Sequence, residues 1–535
     1  MNQARRWTLA ETSAAHARDR AGHPAVICED RTVTYRELHV ASNRVAHALR
    51  AAGVGLGTRV GYLARESEHY YVVIIACAKL GAVLVPVNWR LTAGEVDHIL
   101  RDSGSELLFV EGDFWSVVEG VRADLPGLRD VIRLDEPGDR DHGSGLRAWS
   151  AGASESDVGE GIGPDDAVVQ IYTSGTTGLP KGVVLANRAF FTMPAAMRDA
   201  GVSWIDFLPH DVNLISLPGL GAAGIGCFMH GFNAGATNVI MRFFQSQEAV
   251  RLVRALGVTT TFAAPVMLQL MMTERGVTSE TFSSLRKILY GAAPISEVLL
   301  RRFLDMFGCE FAQIYSSTEA GSVAVCLPPE AHQPGSPLLR AAGKACPGNE
   351  LTVIDPNGRT LPPGQIGQVC IRTPAMMLGY WNKPEATART IVDGWLHMGD
   401  AGYLDENGYL YLCDRINDTI IVAGQNIYPI EVEKQLGDHP AVADAAVVGV
   451  PDLRWGEAVH ACVVLGPDAS VTPRELTLFL RGRLADYKIP TAYHFATDLP
   501  RNPSGKILRR EVRTRLRADA PAPNRSLSGP ELPRL

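Results

Sequence analysis

A chain of 535 residues is too long for one compact core and must divide into at least two domains. Its composition, 46% hydrophobic and 20% charged, is that of a folded globular protein, and a net charge of -7 gives no electrostatic reason for nucleic acid or an anionic membrane as partner. Nine scattered cysteines, with no CxxC pair and no His/Cys cluster at metal spacing, read as buried or free thiols in a reducing compartment.

The amino-terminal "MNQARRWTLAETSAAHARDR" lacks the apolar run of a signal peptide, so a cytoplasmic location is expected. "TYRELHVASNRVAHALRAAGV" sets Leu38, Ala41, Val45, Ala48 and Leu49 on one helical face, with Gly53 as a stop. "RVGYLA" then predicts a strand, Val72 to Leu80 an apolar helix, and "AVLVPVN" another strand. The most apolar stretch, "YYVVIIACAKLGAVLVPV", is cut by Lys79 and Gly81, which favours a buried helix and strand over a membrane span. This alternation predicts an α/β fold, with a large N-terminal domain (1–413) of mixed α/β subdomains and parallel-rich sheets. Near Asp414 the character changes. A polar break, a helix start at "PIEVEKQL", the strands "VADAAVVGVPD" and "AVHACVVLG", and a helix over "TPRELTLFLRGRLA" predict a small mobile α+β domain (419–516) behind a hinge (414–418). The Pro-, Ala- and Ser-rich residues 517–535 are expected to be disordered.

One loop carries the chemistry. The strand "VVQIYTS" runs into "YTSGTTGLPKGV", where Thr173, Ser174, Thr176 and Thr177 offer hydroxyls and Gly175 and Gly178 let backbone N–H groups approach oxygens. Lys181 adds a mobile positive charge. A Walker phosphate loop is excluded, because Gly182 stands where the metal-binding hydroxyl belongs and Pro180 precedes the lysine.

This string resembles the signature of the adenylate-forming (ANL) superfamily, on its acyl- and aryl-CoA ligase branch. So, in order, do "YGAAPIS", "QIYSSTEAG", "GWLHMGDAGYLDENGYLYLCDR" and "PRNPSGKILRR", and the likeness runs from "DRTVTYRELHVASNRVAHAL" to Arg510. The resemblance implies that ATP and a fatty or aromatic carboxylic acid give an acyl-AMP and pyrophosphate, with CoA then displacing AMP. Lys506 would bridge the carboxylate and the α-phosphate, although a lysine in a basic tail is by itself only a solvated charge. Glu319 would hold Mg²⁺, with Thr318 and Ser317 at the phosphates. Tyr315, otherwise an ordinary core aromatic, would stack on adenine, with Gly291, Ala292, Ala293 and Pro294 on its other side. Asp400 would take the ribose hydroxyls, with Arg415 assisting. Gly424 would line a pantetheine tunnel, as would Trp455 if it is not simply a core residue. Asn417 stands in the hinge where relatives usually carry Asp or Lys.

The acyl pocket departs from the pattern. In "SLPGLGAAGIG", Leu220 and Gly221 replace the usual aromatic–His pair after Leu217, and Ser316 replaces a common glycine. These changes are either lineage drift or a differently shaped cavity. Between Asn213 and Ala249 the only carboxylate is Glu248, which argues against a substrate with a cationic amine. Two alternatives stand beside CoA ligation: transfer to a carrier-protein thiol or another nucleophile, and a non-catalytic nucleotide sensor. A homodimer is compatible with the sequence.

Overall fold

The structure, a computed structural model, describes all residues except 1–6, 136–142, 160, 174–179, 292–294, 296, 322, 416–417, 419, 423–424, 453–455, 502–506 and 519–535. At 414–415, 421, 425–426, 456 and 517–518 only the backbone is described.

Short β-branched runs separated by helices wind into two parallel-rich sheets within the first of two compact units, Met1–Leu412. The nine-stranded sheet places the strands Glu310–Tyr315, Lys287–Gly291, Thr260–Ala263, Val212–Ile215, Thr237–Ile240 and Pro24–Cys28 side by side and parallel. The seven-stranded sheet has Ala167–Thr173, Val83–Val87, Arg59–Leu63, Leu107–Val110 and Asp130–Arg133 parallel. On its edge Lys181–Ala186 and then Gly379–Tyr380 run antiparallel. Antiparallel strands Glu350–Ile354, Gly367–Arg372 and Trp395–Leu404 make a third sheet.

The helix Tyr35–Ala51 starts from a reciprocal cap. Glu37 N–H donates to Thr34 Oγ1 (3.2 Å) and Thr34 N–H donates to Glu37 Oε2 (2.8 Å). Its buried face carries Leu38, Val45 and Leu49 as expected, but Ser42 and Asn43 are buried where Ala41 and Ala48 were expected. The reason is Lys79. Its helix, Glu68–Leu80, is buried on every side, and the ammonium donates to Ser42 Oγ (2.7 Å) and Asn43 Oδ1 (2.5 Å). Desolvation pushes the Lys79 pKa down to about 7. The apolar stretch is thus a core helix that ends at left-handed Gly81. Among the described residues no helix is long and apolar enough to cross a membrane.

The second unit, Cys413–Leu535, is α+β. The antiparallel pair Val442–Asp452 and Gly456–Leu465 carries Ala492–Ala496 in parallel on one edge, and the helices Pro429–Gly437 and Pro473–Leu480 pack Val432, Leu436, Leu476 and Leu480 into one core with Val447 and Val463. The second helix is shorter than its sequence suggests. It stops at Leu480 because Arg481 is extended and Gly482 has φ +76°.

Candidate active site

Neighbouring parallel strands of an open sheet release their loops on one side, which is where ligands bind in such folds. At their carboxyl ends Val212–Ile215 leads into Leu217–Gly221, Lys287–Gly291 closes on Gly291 itself, and Glu310–Tyr315 leads into Ser316–Gly321. Three expected groups are therefore brought to one edge by register alone.

Gly291 is required there. A Cβ would lie 2.4 Å from the Ile314 carbonyl oxygen, so no other residue lets the two strands approach as they do. The next strand ends in Tyr315, whose hydroxyl donates to Asp400 Oδ2 at 2.6 Å. Asp400 comes from the third sheet, just after Gly399 at φ +73°. The turn that follows, Thr318–Ala320, is capped by Ser317, whose Oγ accepts the Ala320 N–H at 3.3 Å. Ser316 is half-buried, and its hydroxyl reaches the Ser317 carbonyl at 3.4 Å.

Glu319 in this turn is held twice. Its carbonyl accepts Met377 N–H (2.9 Å) and its carboxylate Oε1 accepts the Tyr380 hydroxyl (2.8 Å). Among the described residues its other carboxylate oxygen has no hydrogen-bond partner, and no cluster of three metal-ligating side chains occurs. Tyr380 belongs to the two-residue edge strand of the other sheet, opposite Val183. The Lys181 ammonium sits 4.1 Å from the centre of its ring. Burial, with the Glu319 charge beside it, raises the Tyr380 pKa, so the hydroxyl stays a donor. One tyrosine thus joins a lysine from one sheet to a carboxylate from the other.

The stem of the glycine-rich loop is anchored from below. Thr173 pairs with Lys181 across the strands that bracket it. Asp102 accepts the Tyr172 hydroxyl (2.8 Å) and the Lys383 ammonium (2.9 Å), and Trp381 N–H donates to the Gly182 carbonyl (2.8 Å). The Arg59 guanidinium lies 3.3 Å over the Trp381 ring.

Leu217 and Leu220 are buried, and Gly221 is the extended N-cap of the helix Ala222–Ala234. The one local acid, Glu248, pairs with Arg251 on the exposed face of the helix Ser246–Leu256. A carboxylate does reach this loop, but from far away: the Gly219 N–H donates to Glu66 at 2.6 Å. Reading the loop by its own residues misses it.

Of the expected residues, Ser174, Gly175, Thr176, Thr177, Gly178, Ala292, Ala293, Pro294, Asn417, Gly424, Trp455, Lys506 and the side chain of Arg415 lie outside the described residues. Tyr380, Asp102 and Glu66 were not singled out from sequence. Tyr380 occupies a two-residue strand with no periodicity, and the other two act on residues far along the chain.

A family model described as AMP-binding enzyme matches residues 13–381, and one described as AMP-binding enzyme C-terminal domain matches 431–506. The chain is 52% identical to the fatty acid–[acyl-carrier-protein] ligase ScoC of Streptomyces coeruleorubidus, over 96% of this chain and 97% of that one. It is 35% identical to a feruloyl-CoA synthase from Amycolatopsis sp, over 90% of this chain and 94% of the relative. Among solved structures, ATP-bound MatB from Rhodopseudomonas palustris superposes with a TM-score of 0.86 at 28% identity, covering 95% of this chain and 99% of the other.

Proposed function

This chain belongs to the AMP-binding enzyme family, the AMP-forming acyl- and aryl-acid ligases, and we propose that its acid is a fatty acid and its acceptor a carrier-protein thiol. The near full-length identity of 52% to a fatty acid–[acyl-carrier-protein] ligase supports both choices. In the first step an oxygen of the acid attacks the α-phosphorus of ATP, the bond to pyrophosphate breaks, and acyl-AMP forms. In the second, the thiol gives up its proton, its sulfur attacks the acyl carbon, and AMP leaves.

The first step joins two anions, so the site must place positive charge and donors where negative charge gathers. The observation that carries the assignment is Tyr380, which holds Lys181 and Glu319 on one side chain. Lys181 meets the β- and γ-phosphates with Ser174, Thr176 and Thr177. A carboxylate with an oxygen to spare, and no preformed ligand cage among the described residues, suits a cation shared with phosphates. When bound, Mg²⁺ would neutralise phosphate charge, and Glu319 would supply one of its oxygens. The Tyr315 hydroxyl, tied to Asp400, orients the ring for adenine while Asp400 receives the ribose. Lys506 neutralises the reacting carboxylate and α-phosphate. We assign 1–413 to ATP and acid binding, the swivel to 414–418 with Asn417, and the lysine and the Gly424 and Trp455 tunnel to 419–516.

CoA is the second acceptor, favoured by the 35% identity to a feruloyl-CoA synthase. Mass spectrometry of reactions with ATP, Mg²⁺ and a panel of fatty and aryl acids, given either CoA or a phosphopantetheinylated carrier protein, decides between them. Acylated carrier with a fatty acid and no CoA thioester is the expected outcome. A CoA thioester alone would move the acceptor to CoA, and an aryl product would overturn the choice of acid.

A further inference from the structure

Where the strand Arg59–Leu63 ends, the chain turns through Ala64, Arg65 and Glu66 before the buried helix Glu68–Leu80. Arg65 is pulled to one side, its N–H donating to Glu111 Oε2 (2.8 Å) and its guanidinium to Glu111 Oε1 (2.9 Å). Glu66 goes to the other side and is 2% exposed. Its Oε2 accepts the Gly219 N–H at 2.6 Å and its Oε1 accepts the Tyr71 hydroxyl. The Tyr70 hydroxyl donates to the Gly219 carbonyl at 2.6 Å. Both backbone groups of a single glycine are therefore held by side chains arriving from the other sheet's connection.

Among the described residues, the groups that interact with this carboxylate are Tyr70, Tyr71, Cys227 and the Gly219 amide, none of them a cation. Burial raises the Glu66 pKa to about 7. A lone buried carboxylate is costly and is not needed for packing, so its geometry has to be explained by what it holds. It holds the loop tightly. A Cβ on residue 219 would lie 2.7 Å from Glu66 Oε1 and 3.1 Å from Tyr70 Cε1. The Tyr71 ring also stacks on Phe228, 3.6 Å between centres, which fixes the helix that the loop begins.

Beyond Gly219 the surroundings open. Among the described residues, a Cβ on Gly226 would meet nothing within 4 Å, and one on Gly221 only the Pro218 carbonyl at 4.0 Å. Ala222 and Ala223, on the same side of the helix, are partly exposed although most of that helix is buried. The loop is drawn back against Tyr70 and Tyr71.

We infer that Glu66 is a positioning residue for the acyl substrate: by holding Gly219 back, it keeps room for an unbranched chain beside Gly221 and Gly226 and so sets which chain length the enzyme prefers. The inference rests on the proposed activation of a fatty acid at this loop. Glu66 does not touch the reacting atoms.

The test is acid-dependent ATP–pyrophosphate exchange by the full-length enzyme with short, medium and long saturated acids, for wild type, Glu66→Gln, Glu66→Ala and Tyr70→Phe. Losing a hydrogen bond to a charged group corresponds to about tenfold, so Glu66→Ala should raise KM for the preferred acid roughly tenfold and shift the preferred length, with KM for ATP nearly unchanged. Glu66→Gln keeps an oxygen for the Gly219 N–H and should fall between wild type and Glu66→Ala. If Glu66→Ala does not fold, Tyr70→Phe carries the test, with a smaller shift in the same direction. An unchanged length preference, or equal losses for every acid and for ATP, overturns the inference. If the wild type shows no exchange with any fatty acid, it is the functional reading that fails instead.

Discussion

Tyr380 makes two separable contributions, and substituting it tests the whole site. Its hydroxyl donates to the Glu319 carboxylate at 2.8 Å, and its ring lies 4.1 Å below the Lys181 ammonium. A hydrogen bond to a charged group is worth ~1.5–3 kcal/mol. Glu319 is only partly buried, which favours the lower end. Tyr380→Phe should therefore cost about tenfold in kcat/KM for MgATP while leaving the Lys181 contact in place. Tyr380→Leu removes the π face as well, and a further cation–π loss of ~0.5–1 kcal/mol predicts another two- to fivefold, roughly. The assay is ATP–pyrophosphate exchange at saturating acid and varied MgATP, with thermal unfolding run alongside to identify any variant that is simply unstable. A double-mutant cycle with Glu319→Gln completes it, since residues in direct contact should be coupled by about 1 kcal/mol or more. Strict additivity, or a Tyr380→Phe enzyme indistinguishable from wild type, would refute the argument that this tyrosine positions Glu319.

Gly291→Ala should cripple nucleotide use and lower the melting temperature, because its Cβ would meet the Ile314 carbonyl at 2.4 Å and force the strands apart at a cost of ~1–3 kcal/mol; unchanged ATP titration and melting would contradict this. Lys506→Ala should abolish acyl-AMP formation by orders of magnitude while ATP binding, measured by calorimetry, survives. Glu66 predicts a stability slope with pH. Its pKa rises from 4.5 to about 7 on folding, so the associated stability is fully present below about pH 4.5 and is lost as pH climbs to about 7, amounting to ~3 kcal/mol. Denaturant unfolding of wild type and Glu66→Gln across this range should show the wild type losing ground as pH rises. Parallel curves would count against the buried charge.

The residues whose chemistry is local were legible in the chain itself. The Ser317–Glu319 turn and the Thr34/Glu37 cap are each closed within a few positions, because a turn or a cap is made by near neighbours, although the cap was not singled out from sequence. The strand–helix alternation was legible for the same reason, since periodicity is a property of a short window. What tertiary structure decided is what joins those pieces. Ser42 and Asn43 look like exposed polar residues until Lys79 is packed against them. Tyr380 joins a lysine 199 residues before it to a glutamate 61 residues before it, and Glu66 reaches Gly219 across 153 residues. A hydrogen bond or cation–π contact depends on angstrom distances, and sequence separation carries no information about distance until the sheets have formed. The loop at Leu217–Gly221 showed by its composition that it lacked a bulky aromatic and a histidine. Only the fold showed that a carboxylate from another sheet's connection had taken hold of it.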